Sequence, residues 1–238
     1  INELGRFSPV EAVLNSGAFS EESLVGVLRE KFRCRVENAG DRRFLLGEAE
    51  KNIRRQFGDE AWSRLPARVP AAAMALGGLL SYLYETQKTD LSYINDLDYY
   101  EQGRFMELDL AARRNLELTA TLRSKEKKGS LLWVLDRTQT PMGGRCLRSW
   151  LERPLLNVAA ICRRNGAVAA LAEQTIDREE LISALSGLGD MERLIGRIVY
   201  GTAGGRDLVS LRAAIEKLPE VKARLAAFSD RRLAELTE

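Results

Sequence analysis

The sequence predicts a multidomain chain in two unlike parts, an α/β piece followed by an all-helical one. Three observations lead there. Within residues 1–68, short strand-like runs (Ala12–Leu14, Cys34–Glu37 and Phe44–Leu46) alternate with helical stretches such as Glu21–Glu30 and Glu48–Phe57, which is the pattern of α/β structure. Beyond Thr89 the β-branched runs nearly vanish, while helix caps and helix-stopping prolines recur to the end. The length of 238 residues suits one large domain or two modest ones. The division is expected at residue 90, with 1–90 as the α/β part and 91–238 as the helical part.

The first part holds too few strands to close a good sheet by itself, and the chain opens at Ile1 without an initiator Met, so a piece of something longer is expected. Its longest weakly polar run, Val69–Tyr84, has 16 residues, short of the ~20 that span a bilayer. It reads as a buried helix. Pro70 suits the first turn, and Ala71, Ala75, Gly77 and Gly78 leave room for a second element to approach.

In the second part Asp109 is expected to cap a helix through Leu122, and Ser130 a short one through Leu135. Thr140 precedes Pro141 as a capping hydroxyl before a first-turn proline, and Pro154 stops that helix. Met142, Cys146, Leu147, Trp150 and Leu151 fall on one of its faces at helical spacing. Asn157 caps the next helix, with Ile161, Val168 and Leu171 expected to point inward. Helices are then expected over 178–188, 191–200, 207–218 and 220–228. No 20–50-residue period repeats, which argues against a solenoid.

Composition narrows the chemistry. Histidine is absent, which removes the commonest general acid/base near neutral pH and the commonest metal ligand. The 36 basic and 34 acidic residues leave a net charge of +2, too small for a surface that binds nucleic acid all over, so any such contact must be local. Residues 1–90 balance at 13 of each sign. Cys34, Cys146 and Cys162 are odd in number, widely spaced and form no C-x-x-C pair, so neither a disulfide framework nor a zinc site is expected. A reducing cytoplasm fits them, and Cys146 and Cys162 are expected to pack as small apolar residues.

No Gly-Lys dipeptide is present, so there is no phosphate loop of the G-x-x-x-x-G-K-[ST] kind. Gly201-Thr-Ala-Gly204-Gly205 precedes a helix but follows no strand, and reads as an interhelical turn rather than an anion nest. The acidic pairs Glu21/Glu22, Asp96/Asp98 and Glu179/Glu180 read as solvated residues at helix starts rather than metal ligands. Two basic stretches stand out: Arg113, Arg114, Arg123, Lys125, Lys127 and Lys128, then Arg145, Arg148, Arg153, Arg163 and Arg164. Both contain the charge to meet phosphates. The first stretch includes Glu117 and Glu126 and has no interleaved aromatics, so a charged face or internal ion pairs is the better reading. Arg113, Arg114, Asn115 and Arg145 are candidate interdomain ties, of the kind that need a carboxylate or carbonyl partner.

Several of these segments, taken in order, resemble the MutS family of bacterial DNA mismatch-recognition proteins. Phe105-Met-Glu-Leu-Asp109-Leu-Ala-Ala-Arg113-Arg114-Asn115-Leu-Glu-Leu118 resembles M-x-L-D-x-x-T-R-R-N-L-E-L, with Ala112 in place of threonine. Ser130-Leu-Leu132, Leu135-Asp136, Thr138, Thr140-Pro-Met-Gly143, Arg145, Leu147-Arg148, Trp150-Leu151 and Pro154-Leu155 follow that family's next motif nearly without a gap. Asp190-Met-Glu-Arg-Leu194, Arg197-Ile198 and Arg206-Asp207-Leu208 continue it, with Met191 for leucine and Gly205 for proline. The first part is similar through Glu3-Leu4, Arg6, Pro9, Gly77, Leu79-Leu80, Tyr82 and Thr86-Gln87.

The resemblance implies that 1–90 is the later part of a connector domain, partly ribonuclease H-like, and that 91–238 is the first segment of a helical core/lever bundle ending before the clamp. It implies no catalytic, cofactor-binding or metal-binding residue here, and no enzyme activity. In the intact protein it implies a DNA-dependent ATPase that uses ATP and Mg, binds mismatched duplex DNA mainly through other domains, docks the partner protein MutL and dimerises with itself. MutL docking falls on a helix matching Ala49–Phe57, where Lys51 and Asn52 replace two family glutamines. A cytoplasmic location is expected, nucleoid-associated during repair, with no membrane contact. Two other readings are a MutS paralogue that binds DNA junctions and a metal-dependent nuclease using Asp96 or Asp98 on the ribonuclease H-like half.

Overall fold

A computed structural model of the chain describes residues 2–7, 9–65, 70–87, 91–99 and 103–237. Two compact units divide between residues 101 and 102. After a short helix, α1 (Asn2–Phe7), the first unit opens on a parallel pair, β1 (Glu11–Leu14) and β2 (Arg35–Asn38), in the register Glu11 to Arg35 through Leu14 to Asn38. Parallel pairing needs a crossover. Here α2 (Ser16–Phe19), α3 (Glu22–Gly26) and a π-helical turn (Val27–Lys31) supply it, burying Val25 and Leu28.

The first unit is otherwise helical. The apolar run at Phe44 does not form a third strand: Arg42–Phe44 is a 3-10 turn and Leu46 already begins a helix. Its physical role is packing, since the Phe44 ring fills the space that Gly78 leaves open. Helix α4 (Leu46–Arg64) is interrupted at Gly58, whose φ of 85° turns the chain without a side-chain penalty. Helix α5 (Pro70–Thr86) packs on it around Ala49, Ile53, Ala73 and Leu80. Gly77 and Gly78 make the close approach, whereas Ala71 and Ala75 face solvent, the reverse of their expected role. The small residue that packs is Ala73, in phase with Gly77 and Leu80. Val69 and Thr89, which bound two of the sequence readings, lie outside the described residues.

Gln56 reaches from α4 to the segment that follows α5. Its Nε2 donates to the carbonyls of Leu91 and Ile94 at 2.8 and 2.7 Å, while its Oε1 accepts from the Tyr84 hydroxyl at 2.7 Å.

The second unit begins with an antiparallel bridge between Phe105 and Leu155. Helix α6 (Leu110–Asn115) is capped by Asp109, whose carboxylate accepts from Ala112 N at 2.6 Å. It stops at Asn115, well short of Leu122. The carbonyls of Glu117 and Leu118 are taken by the amides of Leu131 and Leu132, and Glu117 turns the chain at a φ of 46°. Tertiary hydrogen bonds thus outcompete the next helical turn. Buried Ser130 starts α7 (Leu131–Leu135) and Thr140 caps α8 (Pro141–Glu152), both as the sequence predicts.

Asn157 caps α9 (Val158–Glu173), followed by α10 (Thr175–Leu185), α11 (Met191–Val199) and α12 (Gly205–Leu225). The chain does not break at Pro219, which lies inside α12. Val221 and Leu225 beyond it pack against the core formed by Ala167, Leu181, Phe228 and Leu233, and this burial holds the helix together past the missing N–H. Leu233 belongs to the closing helix α13 (Arg231–Ala234). Ala167 and, as expected, Leu171 face the core from α9, whereas Val168 is 63% exposed. Cys34 is buried, but Cys146 and Cys162 are exposed rather than packed, because their helices turn other faces inward. Among the described residues no helix is long and apolar enough to cross a membrane.

Candidate functional site

Several helix starts in the second unit bring a carboxylate or hydroxyl with them, and arginines from neighbouring helices close onto Asp190 and Asp207. Asp190 caps α11 by accepting from Arg193 N at 3.3 Å. Arg145, on α8, meets the same carboxylate as a fork, Nη1 and Nη2 each at 2.7 Å, and adds Glu192 through Nε at 2.9 Å. Bidentate geometry of this kind fixes orientation as well as distance. The Arg145 charge holds the Asp190 carboxyl at about 2, well below its ordinary 3.8, with the Arg193 amide helping.

The same arrangement repeats along the unit. Arg197 near the end of α11 donates to Asp207 in the first turn of α12 at 2.7 Å, and Arg224 near the end of α12 donates to Glu180 on α10 at 2.5 Å. Lys217 adds a bond to the Ser186 carbonyl at 2.9 Å. Helices α8, α11, α12 and α10 are therefore braced in succession. Exposed pairs such as Arg224–Glu180 add little energy singly, so their main effect is on geometry.

The remaining candidate residues are more dispersed. Arg113 donates through Nε to its own Leu108 carbonyl at 3.0 Å, and Arg114 and Asn115 are exposed. On α4, Lys51 is exposed, while Asn52 donates to the Gly77 carbonyl at 3.3 Å and helps seat α5. Lys127 of the first basic stretch pairs with Asp136 at 2.5 Å, which together with Thr138 holds that carboxyl at about 2. In the second stretch Arg148 pairs with Glu152 at 3.1 Å. Aromatic partners do occur there: Arg164 lies 3.8 Å over the Trp150 ring and Arg153 4.4 Å over Phe105. Neither stack was legible in the sequence, since Arg153 and Phe105 are far apart in the chain and meet through the Phe105–Leu155 bridge.

Comparison with known proteins bears on what this framework belongs to. Residues 1–95 match the family model of MutS domain II, and residues 111–238 match that of MutS domain III. The chain belongs to the MutS family. It is 39% identical to the DNA mismatch repair protein MutS of Acetivibrio thermocellus over 222 residues, 93% of this chain and 25% of that protein. To the protein of the same name from Symbiobacterium thermophilum it is 38% identical over 239 residues, all of this chain and 27% of the relative. To that of Desulforamulus reducens it is 46% identical over 181 residues, 76% of this chain and 21% of the relative. The MutS-family chain described here thus spans about a quarter of the length of these curated relatives.

The glycine-rich turn before α12 does not fit the phosphates of the ATP and Mg that the family resemblance implies for the intact protein. In the glycine-rich turn before α12, the Gly204 amide is already taken by the Asp207 carboxylate at 2.8 Å, and no lysine follows to meet a phosphate. The turn's own acid occupies the place an anion would take. Among the described residues no group of three or more Cys, Asp or Glu could hold a metal ion. Asp96 bonds the Leu97 amide at 2.8 Å, and Glu180 is the partner of Arg224.

Proposed function

We propose that this chain is the connecting segment of a DNA mismatch-recognition protein: part of a ribonuclease H-like connector followed by the first segment of the core/lever. In the intact protein it couples the binding of mismatched duplex to a distant ATPase that uses ATP and Mg, within a self-dimer in the cytoplasm. The observation that carries this reading, beside membership of the MutS family, is the Arg145 clasp and the succession of braces it begins. A lever must pass displacement from one end to the other without absorbing it. Helices pinned by one forked ion pair and a succession of single ones move as one body, and packed bodies switch between arrangements rather than deform continuously.

Docking of MutL is proposed for α4. Of the two residues the sequence nominates there, Lys51 is the one with its side chain available, because Asn52 is engaged with Gly77.

The experiment places Arg145→Met in the full-length parent protein. Mismatch binding is expected to persist, while ATP-driven release from the mismatch is lost. A folded variant that releases normally would overturn the coupling role. The 238-residue chain alone is expected neither to hydrolyse ATP nor to prefer mismatched over paired duplex, and mismatch-selective binding by it would refute the assignment. Lys51→Glu in the parent is expected to weaken MutL capture without changing mismatch binding; unchanged capture would remove α4 from the interface.

A further inference from the structure

One concentration of charge in the second unit takes no part in the braces. A cavity of about 760 Å3 opens where the Arg104 loop, the start of α9 and α13 come together. Its charged lining consists of four guanidinium groups, Arg104, Arg163, Arg164 and Arg232, and one carboxylate, Glu235. Glu235 is already divided between Arg231 at 3.3 Å and Arg232 at 3.1 Å. Arg163 makes no ion pair or hydrogen bond among the described residues.

Arg164 presents a different kind of vacancy. Its guanidinium is seated on Trp150, which orients the plane but accepts none of its N–H groups in a hydrogen bond. Burial pushes this guanidinium below its usual range, opposed in part by Cys146, and the like charge of Arg232 adds a smaller push in the same direction as burial. Arg163, Arg164 and Arg232 share this half-enclosed space with one carboxylate, Glu235, which is itself shared with Arg231, and like charges so placed repel one another. An incoming anion relieves that repulsion and is met by planar forks shaped for phosphoryl oxygens.

The size and lining of the cavity narrow the ligand. Small-ligand cavities run from about 300 to 1,000 Å3, so this one admits far more than a single phosphate. Among the described residues no aromatic ring lines it. Recognition would therefore be of charge and not of a base. We propose that this cavity binds a ligand with two or more adjacent phosphoryl groups, with Arg163, Arg164 and Arg232 as the donors. The phosphoryl groups come from a free oligophosphate or from a nucleic-acid backbone, which the experiment separates.

Sodium tripolyphosphate is titrated calorimetrically into the 238-residue chain at constant ionic strength. One site per chain is expected, with orthophosphate binding at least tenfold more weakly. A charge-assisted hydrogen bond of about 1.5–3 kcal/mol corresponds to roughly tenfold or more in affinity, so Arg163→Ala and Arg232→Ala are each expected to weaken tripolyphosphate by about that factor. Arg163 is exposed, and Arg163→Gln provides a second variant if the alanine form folds poorly. The charge-matched control is Arg212→Ala on α12, which removes an exposed ion pair with Glu216 and is expected to bind within about twofold of the parent chain. A single-stranded DNA oligonucleotide is then used as competitor: stoichiometric displacement assigns the phosphoryl groups to a nucleic-acid backbone, and retention of tripolyphosphate assigns them to a free oligophosphate. Heat that does not saturate, or an Arg163→Ala loss no larger than that of Arg212→Ala, overturns the proposal.

Discussion

Gly77 on α5 lies so close to Ala49 on α4 that a methyl group at position 77 would overlap both the Cα and the Cβ of Ala49. The obstacle is backbone, which cannot swing aside as a side chain can. Gly77→Ala must therefore push the two helices apart at Ile53 and Leu80, both 2% exposed or less. Overpacking of this kind costs about 1–3 kcal/mol, and an alanine in mid-helix returns about 1 kcal/mol of propensity. Net destabilisation is expected, read as a lower urea midpoint. Gly196→Ala on α11, where nothing lies within 4 Å of the new methyl, is expected instead to gain up to about 1 kcal/mol. Shifts of the same sign in both variants would show that the close approach does not limit packing.

The Arg145 clasp gives the helical unit an acid-sensitive component. Asp190 sits at about 2 in the folded chain and at its ordinary 3.8 when unfolded. A carboxyl depressed by folding contributes stability that is complete above the unfolded value and is lost as the pH falls through the folded one. Asp136 behaves in the same way through Lys127 and Thr138. Stability of the chain is therefore expected to fall between about pH 4 and pH 2, measured as the urea midpoint against pH. Arg145→Met lets Asp190 titrate nearer 3.8 and makes that fall shallower; an identical slope in the variant would mean that the clasp does not set it. Asp190→Asn retains an acceptor for the Arg193 amide, so it should be more stable than Asp190→Ala by about 1 kcal/mol.

The contrast between caps and clasps marks how far local sequence carries. Asp109, Ser130, Thr140, Asn157 and Asp190 cap helices through residues within three positions of themselves, and the four that sequence reading used as caps start helices where expected. Where tertiary contacts decided, local reading failed. Nothing near Asn115 signals that Leu131 and Leu132 will claim the carbonyls its helix needs, and nothing near Phe44 signals that its ring fits over Gly78. Arg145 was recognisable as an arginine in need of a carboxylate, but its partner lies 45 residues on and depends on how α8 and α11 pack. The charged cavity was half visible: Arg163 and Arg164 stand in a basic stretch, whereas Arg104 and Arg232 come from loops and helices that only the fold brings near.

Thiol reactivity separates the cysteines. Cys34 is buried next to β2, and burial, aided by the charge of Glu11, raises its thiol above its ordinary value. Reaction with a disulfide reagent proceeds through the thiolate, so both effects slow it. Native protein is expected to release two equivalents promptly, from the exposed Cys146 and Cys162, and a third only on addition of denaturant. Prompt release of all three would place Cys34 at an accessible surface and contradict the packing of β2 against the π-helical turn.

Pro219 is the remaining local conflict. It stands exposed inside α12, where it can donate no bond to the turn before it, yet the helix continues to Leu225 because Val221 and Leu225 are held by the core. An interior proline is about 3 kcal/mol less favourable than alanine in an unsupported helix, and part of that is offset by the restriction proline places on the unfolded chain. Pro219→Ala is therefore expected to stabilise the chain by about 1–2 kcal/mol, with a small gain in helical circular dichroism. If the proline instead shapes a bend that Phe228 and Leu233 need for their packing, the alanine variant would unfold at lower urea than the parent. A raised midpoint would locate the cost at residue 219 itself and leave core burial as the reason α12 remains continuous.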